Sequence, residues 1–435
     1  MELPASFSRG GVKWNRESPS SQPRPQEWWK SYRDSTLNGL VERSLSMNQD
    51  LAAAAARLEQ ARQLSKAARS LYFPDIDLGA GAERTKFRFR GPGGGSNYGN
   101  NFSIPVDMAY ELDMWGKVRR LVEAARSTEG ASRENLNALR LSVAGEVAQT
   151  YWALRAVDAN RAVIRQTLVV RRKALDLLTK RRDAGTISAL DLSRGETEVA
   201  TAEADGIRLD QDRVTLVNAL AVLSGSAATG SAVTERADLP APPNAPNTVP
   251  SELLRQRPDI RAAEYRVAAA NAEIGVATAA FYPSISIRGS GGLDTAEIAN
   301  LFSTESLVWT LGANASVPLT RINLLKARRA AAVAAHQAAS AEYRQIVLES
   351  IREVENALQV ATILEQRQAA QDKAVKSARK TLDLATKRFN AGLVSFLDVV
   401  DAERTRLESE RLANVVRAER LAVSVSLFKA LGGEW

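Results

Sequence analysis

A chain of 435 residues can hold two or three ordinary domains or one elongated assembly. Hydrophobic residues at 45% and charged residues at 25% mark an ordered protein, while a 6% aromatic share and alanine-rich runs at Ala52–Ala56 and Ala330–Ala335 favour closely packed helices. There is no cysteine and one histidine, His336, so disulfides and cysteine chemistry are excluded, and zinc or serine–histidine sites have almost no candidate residues. No catalytic constellation, metal site or cofactor site is therefore expected. The net charge is +8, but Lys and Arg are spread through segments rich in Asp and Glu, which reads as a solvated helix surface and not as a nucleic-acid stripe. No run of about 18 apolar residues offers a transmembrane helix. The start Met1-Glu2-Leu3-Pro4 lacks the features of a secretory leader, which fits a cytosolic chain or a mature form whose leader has been removed.

Along the chain, helical spacing gives way after Pro74 to a period of two. Ile104, Val106, Met108, Tyr110 and Leu112 alternate with Pro105, Asp107, Ala109, Glu111 and Asp113, and a weaker strand covers Ile76 to Arg90. A helix from about Lys117 to Ala184 follows, about 100 Å long at 1.5 Å per residue. Residues 106–239 and 319–435 contain no proline, which permits helices of such length. Val147, Leu154, Leu168 and Leu175, with Val143, Val157, Ile164 and Leu178 as a companion series, recur at multiples of seven, the narrow seam of a coiled coil. After the Pro-rich stretch Pro240–Pro246 the same plan returns. Ile285, Ile287, Gly289, Gly291 and Leu293 alternate with polar residues, as do Trp309, Leu311, Ala313, Ala315 and Val317. Seam spacing resumes at Val347, Ile351, Val354 and Leu358, and again at Val375, Ala378, Leu382, Ala385 and Phe389.

The chain reads as a tandem duplication. Leu71-Tyr-Phe-Pro74 is echoed at Ala280-Phe-Tyr-Pro283, displaced by 209 positions, and Lys180-Arg-Arg-Asp-Ala-Gly185 at Lys387-Arg-Phe-Asn-Ala-Gly392, displaced by 207. The expected division is an amino-terminal equatorial segment (1–46), a first repeat (47–230; β-hairpin about 74–113, helical tip near 185), a linker (231–250) and a second repeat (251–435; β-hairpin about 283–318, tip near 392). Gly185 and Gly392 suit left-handed helix ends, and Ser188 with Asp191 and Ser395 with Asp398 have the spacing that starts the returning helices. Strands of about ten residues with one apolar face match a membrane barrel, although two soluble hairpins packed on helices have the same pattern. If the strands lie in a membrane, four per chain cannot close, whereas three chains supply twelve.

The segments Arg257-Pro-Asp-Ile-Arg-Ala-Ala-Glu264, Ala280-Phe-Tyr-Pro-Ser-Ile-Ser286, Tyr110-Glu-Leu-Asp-Met-Trp-Gly-Lys117, Phe396-Leu-Asp-Val399 and Ala430-Leu-Gly-Gly433 carry a family resemblance. The chain resembles the TolC-type outer-membrane factors, in the efflux lipoprotein branch related to nodulation protein T and to the outlets of resistance-nodulation-division pumps. The resemblance implies an α+β membrane protein, a homotrimer with a twelve-stranded β-barrel continuous with a long α-helical coiled-coil tunnel in the periplasm. It further implies placement in the Gram-negative outer membrane against its lipid, partnership with a periplasmic membrane-fusion adaptor and an inner-membrane pump, and export of small toxic compounds. Members of this branch carry a lipidated amino-terminal cysteine, and this chain has no cysteine. A type I secretion outlet and a soluble coiled-coil adaptor or scaffold are the alternative readings.

Within the resemblance, the hairpin ends are the expected constriction: Leu397, Asp398 and Asp401 with Arg404 on one tip, and Leu190, Asp191 and Arg194 on the other. At the repeat offset of 207, Asp401 corresponds to Arg194, so one tip presents an acid where the other presents a base, and the two are expected to help hold neighbouring hairpins closed. The plainer readings are that Asp398 starts its helix, that Asp401 pairs along the helix with Arg404, and that His336 sits on a helix surface. Arg181 and Arg388, beside Gly185 and Gly392, are the expected adaptor contacts.

Overall fold

The computed structural model describes residues 27–88, 95–229, 233–243 and 256–433. The glycine-rich tip at Gly91–Gly94, the segment Asn244–Pro250 and the amino-terminal Met1–Pro4 lie outside these residues. The elements in order are a 3-10 turn (Trp28–Tyr32), α1 (Ser35–Met47), α2 (Gln49–Ser70), β1 (Asp75–Leu78), β2 (Gly81–Arg88), β3 (Ser96–Leu112), α3 (Lys117–Asp183) and α4 (Ala189–Leu223). There follow α5 (Pro258–Ala279), β4 (Ser284–Thr295), β5 (Leu307–Ser316), α6 (Ile322–Asn390) and α7 (Phe396–Ala430). They form two compact units, Met1–Ala55 with Glu134–Arg261 and Arg344–Trp435, and Ala56–Arg133 with Ala262–Tyr343.

The first unit is helical, and its core draws on both ends of the chain. Trp28 stacks on Phe428 with ring centroids 5.1 Å apart, and Tyr32 tilts against Trp152 at 5.4 Å. The Tyr32 hydroxyl is 2.5 Å from Ser424 Oγ, so burial of the ring leaves its polar end satisfied. The motif Arg257-Pro-Asp-Ile-Arg acts as a brace. Arg257 Nη1 donates to the carbonyl of Ala430 at the end of α7, while its other nitrogens reach Asp259 at 2.7 Å and Glu353 at 2.9 Å. Burial pushes the Asp259 carboxyl up, but the hydrogen bond and charge of Arg257 outweigh it and hold the group below the usual carboxylate range. Arg261 meets buried Glu134 at 3.1 Å.

The second unit holds one antiparallel sheet. β1 and β2 both pair with β3, which pairs with β4, which pairs with β5. β1 and β2 keep one register against β3, from Asp75↔Ala109 to Arg88↔Ser96, so they are one course interrupted at Gly79. The interruption has a chemical cause. Gly79 N–H donates to the Pro105 carbonyl, but Pro105 has no N–H to return the bond. The sheet is therefore four courses wide. The weak periodicity of residues 76–90 reflects this break and the basic residues beyond it.

Alternation carries across all four courses. Leu78, Val106, Gly291 and Trp309 form one rung of one face, and Ile76, Met108, Gly289 and Leu311 form the next. The opposite face presents Asp77, Asp107, Ser290 and Thr310. The apolar face is exposed: Trp309 is 78% exposed and Leu78 75%. At the helix-joined rim, Trp115 stacks on Tyr282 at 4.9 Å and donates from Nε1 to the Pro283 carbonyl. Asp113 accepts from the backbone N–H of Val118 and Arg119, which explains the acid that precedes Trp-Gly-Lys117: it caps α3.

Pro105 also dictates its other neighbour. It faces Gly292 of β4, where an added Cβ would lie 2.1 Å from the Ile104 carbonyl oxygen and 2.8 Å from Pro105 Cα. Gly312 on β5 has open space at the same test. Gly292→Ala should therefore lower the thermal midpoint and the yield of folded protein in detergent, whereas Gly312→Ala should leave both within error. Equal tolerance at the two positions would contradict the packing described.

Candidate channel tip

Each helical hairpin of the first unit turns on a glycine. Gly185 (φ 73°) and Gly392 (φ 72°) occupy the left-handed region that a side chain would strain. Thr186 N–H returns to the Arg181 carbonyl and Leu393 N–H to the Arg388 carbonyl, which satisfies the last carbonyls of α3 and α6. The returning helices start as the spacing predicts. Ser395 and Asp398 form a full capping box, with Ser395 N–H donating to Asp398 Oδ2 at 2.9 Å. Ser188 Oγ accepts from Asp191 N–H and donates to the Asp191 carboxylate at 2.7 Å.

The two tips meet through Arg181, whose guanidinium lies 5.1 Å above the Phe389 ring; Phe389 in turn packs on Phe396 at 5.7 Å. Gly185, Gly392, Arg388, Leu190, Leu397 and Asp401 are exposed. Within the chain Arg194 lies 3.8 Å from Asp191 on its own helix, and Arg404 reaches across to Glu198 of α4. Asp398 is committed to starting α7, and Asp401 sits one turn further on. His336 is half-buried on α6.

About four helical turns back from the tips lies a charged layer that the sequence reading did not single out. Arg171 of α3 is 5% exposed and pairs with Glu198 of α4 at 2.9 Å, donating also to the Glu198 carbonyl at 2.6 Å. On its other side Arg171 Nε lies 3.4 Å from Glu403 Oε1 of α7, a charge contact without a hydrogen bond. Glu410 of α7 takes Arg379 of α6 at 2.7 Å and Arg406 at 2.6 Å, and Arg406 donates to Thr167 Oγ1 of α3. All four long helices thus share one ionic layer. Its signal was present as a gap. Position 171 is a missing member of the heptad series Val143, Val157, Ile164 and Leu178, and position 161 is missing from the series Val147, Leu154, Leu168 and Leu175. Both hold arginine. Arg161 pairs with Asp210 at 2.5 Å and with Glu235 at 2.8 Å. A charge on a seam position costs stability unless paired, and it restricts which helix fits opposite.

Burial pushes the Glu403 carboxyl above the usual carboxylate range, against the opposing charges of Arg171 and Arg406. A raised value in the folded state means that protonation favours folding. The contribution is full below the unfolded value of about 4.3 and is lost as pH rises through the folded value. Glu403→Gln should flatten this acid-side dependence of the melting temperature and cost little at pH 7, whereas Arg171→Ala, which removes the ion-pair partner of Glu403 and leaves Glu198 with Arg404 alone, should destabilise by about 3 kcal/mol. A melting temperature that depends on acid pH equally in wild type and Glu403→Gln would contradict the assignment.

Residues 40–226 and 249–433 both match the family described as outer membrane efflux protein. The solvent efflux pump outer membrane protein SrpC of Pseudomonas putida is 31% identical over 440 residues, covering 100% of this chain and 92% of the relative. The outer membrane protein OprJ of Pseudomonas aeruginosa is 33% identical over 423 residues, covering 94% and 86%. Among solved structures, the outer-membrane channel OprN superposes with a TM-score of 0.91 at 30% identity, covering 100% of this chain and 96% of that one. With a match in each half and alignments that run nearly end to end, the chain belongs to the outer membrane efflux protein family.

Proposed function

We propose that the chain is one third of a homotrimeric duct that passes small toxic compounds from the periplasm to the exterior, as the outlet of a tripartite pump. The observation that carries the trimer is the sheet: four courses, an exposed apolar face, and two edges with no partner strand among the described residues. Successive courses alternate in direction, so the β1/β2 edge and the β5 edge run oppositely. The β5 edge of one copy can therefore pair antiparallel with the β1/β2 edge of the next, and three copies give a closed barrel of twelve courses with no unpaired backbone in hydrocarbon. The apolar run of β3 from Leu112 to Phe102 measures about 33 Å at about 3.3 Å per residue. Tilted at about 40°, it spans about 25 Å, the height of an outer-membrane apolar band.

The helical tips then form the periplasmic entrance. Leu190, Leu397, Asp398, Asp401, Arg404, Asp191 and Arg194 constrict it, and the surface around Arg181, Gly185, Arg388 and Gly392 meets the adaptor that links the duct to an inner-membrane pump of resistance-nodulation-division type. Within one chain Arg194 lies 3.8 Å from Asp191, and the proposed Arg194–Asp401 contact is one between neighbouring copies. Exposed pairs contribute only about 0–1 kcal/mol each, so such contacts bias the entrance without locking it. The relatives named for solvent, toluene and pyoverdine efflux support export of small molecules.

Two measurements test this reading. Protein extracted from outer membrane should run as a heat-modifiable particle of three chains; a monomer soluble without detergent would end the proposal. In planar bilayers, Asp401→Ala channels should show raised resting conductance and weakened cation preference, because three carboxylates leave the entrance at once. If both quantities match wild type, the constriction does not lie at Asp401.

A further inference from the structure

Beyond the apolar band, one face of the β2–β3 hairpin changes character abruptly. All four ends of the sheet that join helices, at Asp75, Leu112, Ser284 and Ser316, lie on one rim, so the β2–β3 hairpin projects from the opposite rim. The unbroken register keeps every second residue of this course on the apolar face: Ile76, Leu78, Ala82, and then Arg84, Lys86 and Arg88. Their partners on β3 follow the same order, from Val106 and Phe102 to Asn100, Tyr98 and Ser96. Cations thus succeed the last apolar rung without a change of face.

The cluster is built around an aromatic ring. The Arg84 guanidinium lies 5.2 Å from the centroid of Tyr98, and the Lys86 ammonium 5.3 Å from it. All three side chains are exposed, and among the described residues no ion pair engages Arg84, Lys86 or Arg88. The nearest acid in sequence, Glu83, points to the other face and accepts from Thr85. An uncompensated set of cations on a surface that is lipid-facing a few residues earlier needs an anion at headgroup depth. The distance fits: Arg84 and Lys86 stand about two and four residues past Ala82, or about 7 and 13 Å along the strand.

We infer that Arg84, Lys86 and Arg88, with Tyr98, form an outward-facing binding surface for the phosphate groups of an outer-leaflet glycolipid. The inference rests on the barrel reading above, since only that reading turns this face toward lipid. Guanidinium and ammonium groups suit phosphate oxygens through charge-assisted hydrogen bonds, and a tyrosine ring at the interface packs against the sugar and upper acyl region. Each cation near an anionic membrane surface strengthens attraction by about a factor of five, so the Arg84→Gln/Lys86→Gln pair should weaken it roughly thirtyfold.

The experiment uses the full-length protein and diphosphorylated lipid A as the probe, with its phosphate-free derivative as control. Wild type and the Arg84→Gln/Lys86→Gln variant are first inserted into phosphatidylcholine vesicles and checked for heat-modifiable trimers. Binding of each lipid to the detergent-solubilised trimer is then titrated by native mass spectrometry. The expected result is that wild type prefers the phosphorylated lipid and that the variant, still trimeric and inserted, loses most of that preference. Equal preference in both proteins, or none in wild type, would overturn the headgroup site while leaving the barrel intact. If neither protein inserts, the barrel reading fails and this inference fails with it.

Discussion

A β-sheet placed in hydrocarbon has nowhere to leave an unpaired N–H or C=O, and this constraint organises the chain. Four antiparallel courses with one apolar and one polar face are complete in every respect except their two edges, which have no partner strand among the described residues. The sheet even contains a proline on an inner course, at a cost confined to one missing hydrogen bond opposite Gly79. On the other side Gly292 is cut back to a bare backbone to admit it. These are local accommodations to keep a continuous wall. The edges admit no local remedy, so the proposed trimer follows from the same rule that explains Gly79 and Gly292.

The helical part obeys a different economy. Each helix satisfies its backbone within itself, so unpaired edges are not the problem; register and partner choice are. Long seams of leucine, valine and isoleucine pack well in many registers, and a few charges at seam positions make most of those registers unacceptable. Arg171 and Arg161 do this in α3, each surrounded by acids from other segments. Buried ion pairs add little net stability relative to apolar residues, but removing one partner is expensive, which makes them markers of a specific fit. In an entrance proposed to open and close, a layer of charges shared by all four long helices also provides a defined set of contacts to exchange.

The motifs that carry the family resemblance are architectural. Arg257 and Asp259 brace the end of α7, Asp113 starts α3, Trp115 locks against Tyr282 and Pro283, and Ser395 with Asp398 starts α7. Each sits where a chain direction reverses or one kind of element hands over to another.

Periodicity, proline placement and internal repetition were legible in the sequence because each is a local property with a fixed geometric consequence. Alternation set the strands, the proline-free spans allowed α3 and α6, and Gly185 and Gly392 marked the turns. The sequence also showed that Asp398 and Asp191 had the spacing of helix starts, and the structure places them there. It did not reveal the partners of the charged residues. Arg404 follows Asp401 by three positions, yet its guanidinium goes to Glu198, more than two hundred residues earlier. Arg194, matched to Asp401 by the duplication, turns to Asp191 within the chain. Long flexible side chains on adjacent helices choose among several acids within reach, and only the relative rotation and height of the helices decide the choice. The interruption at Gly79 likewise needed the pairing register, since Pro105 acts on a residue with which it shares no local sequence. What the sequence determined by itself was therefore the elements and their faces; tertiary structure decided which charges meet, because that depends on distances between segments that sequence spacing does not encode.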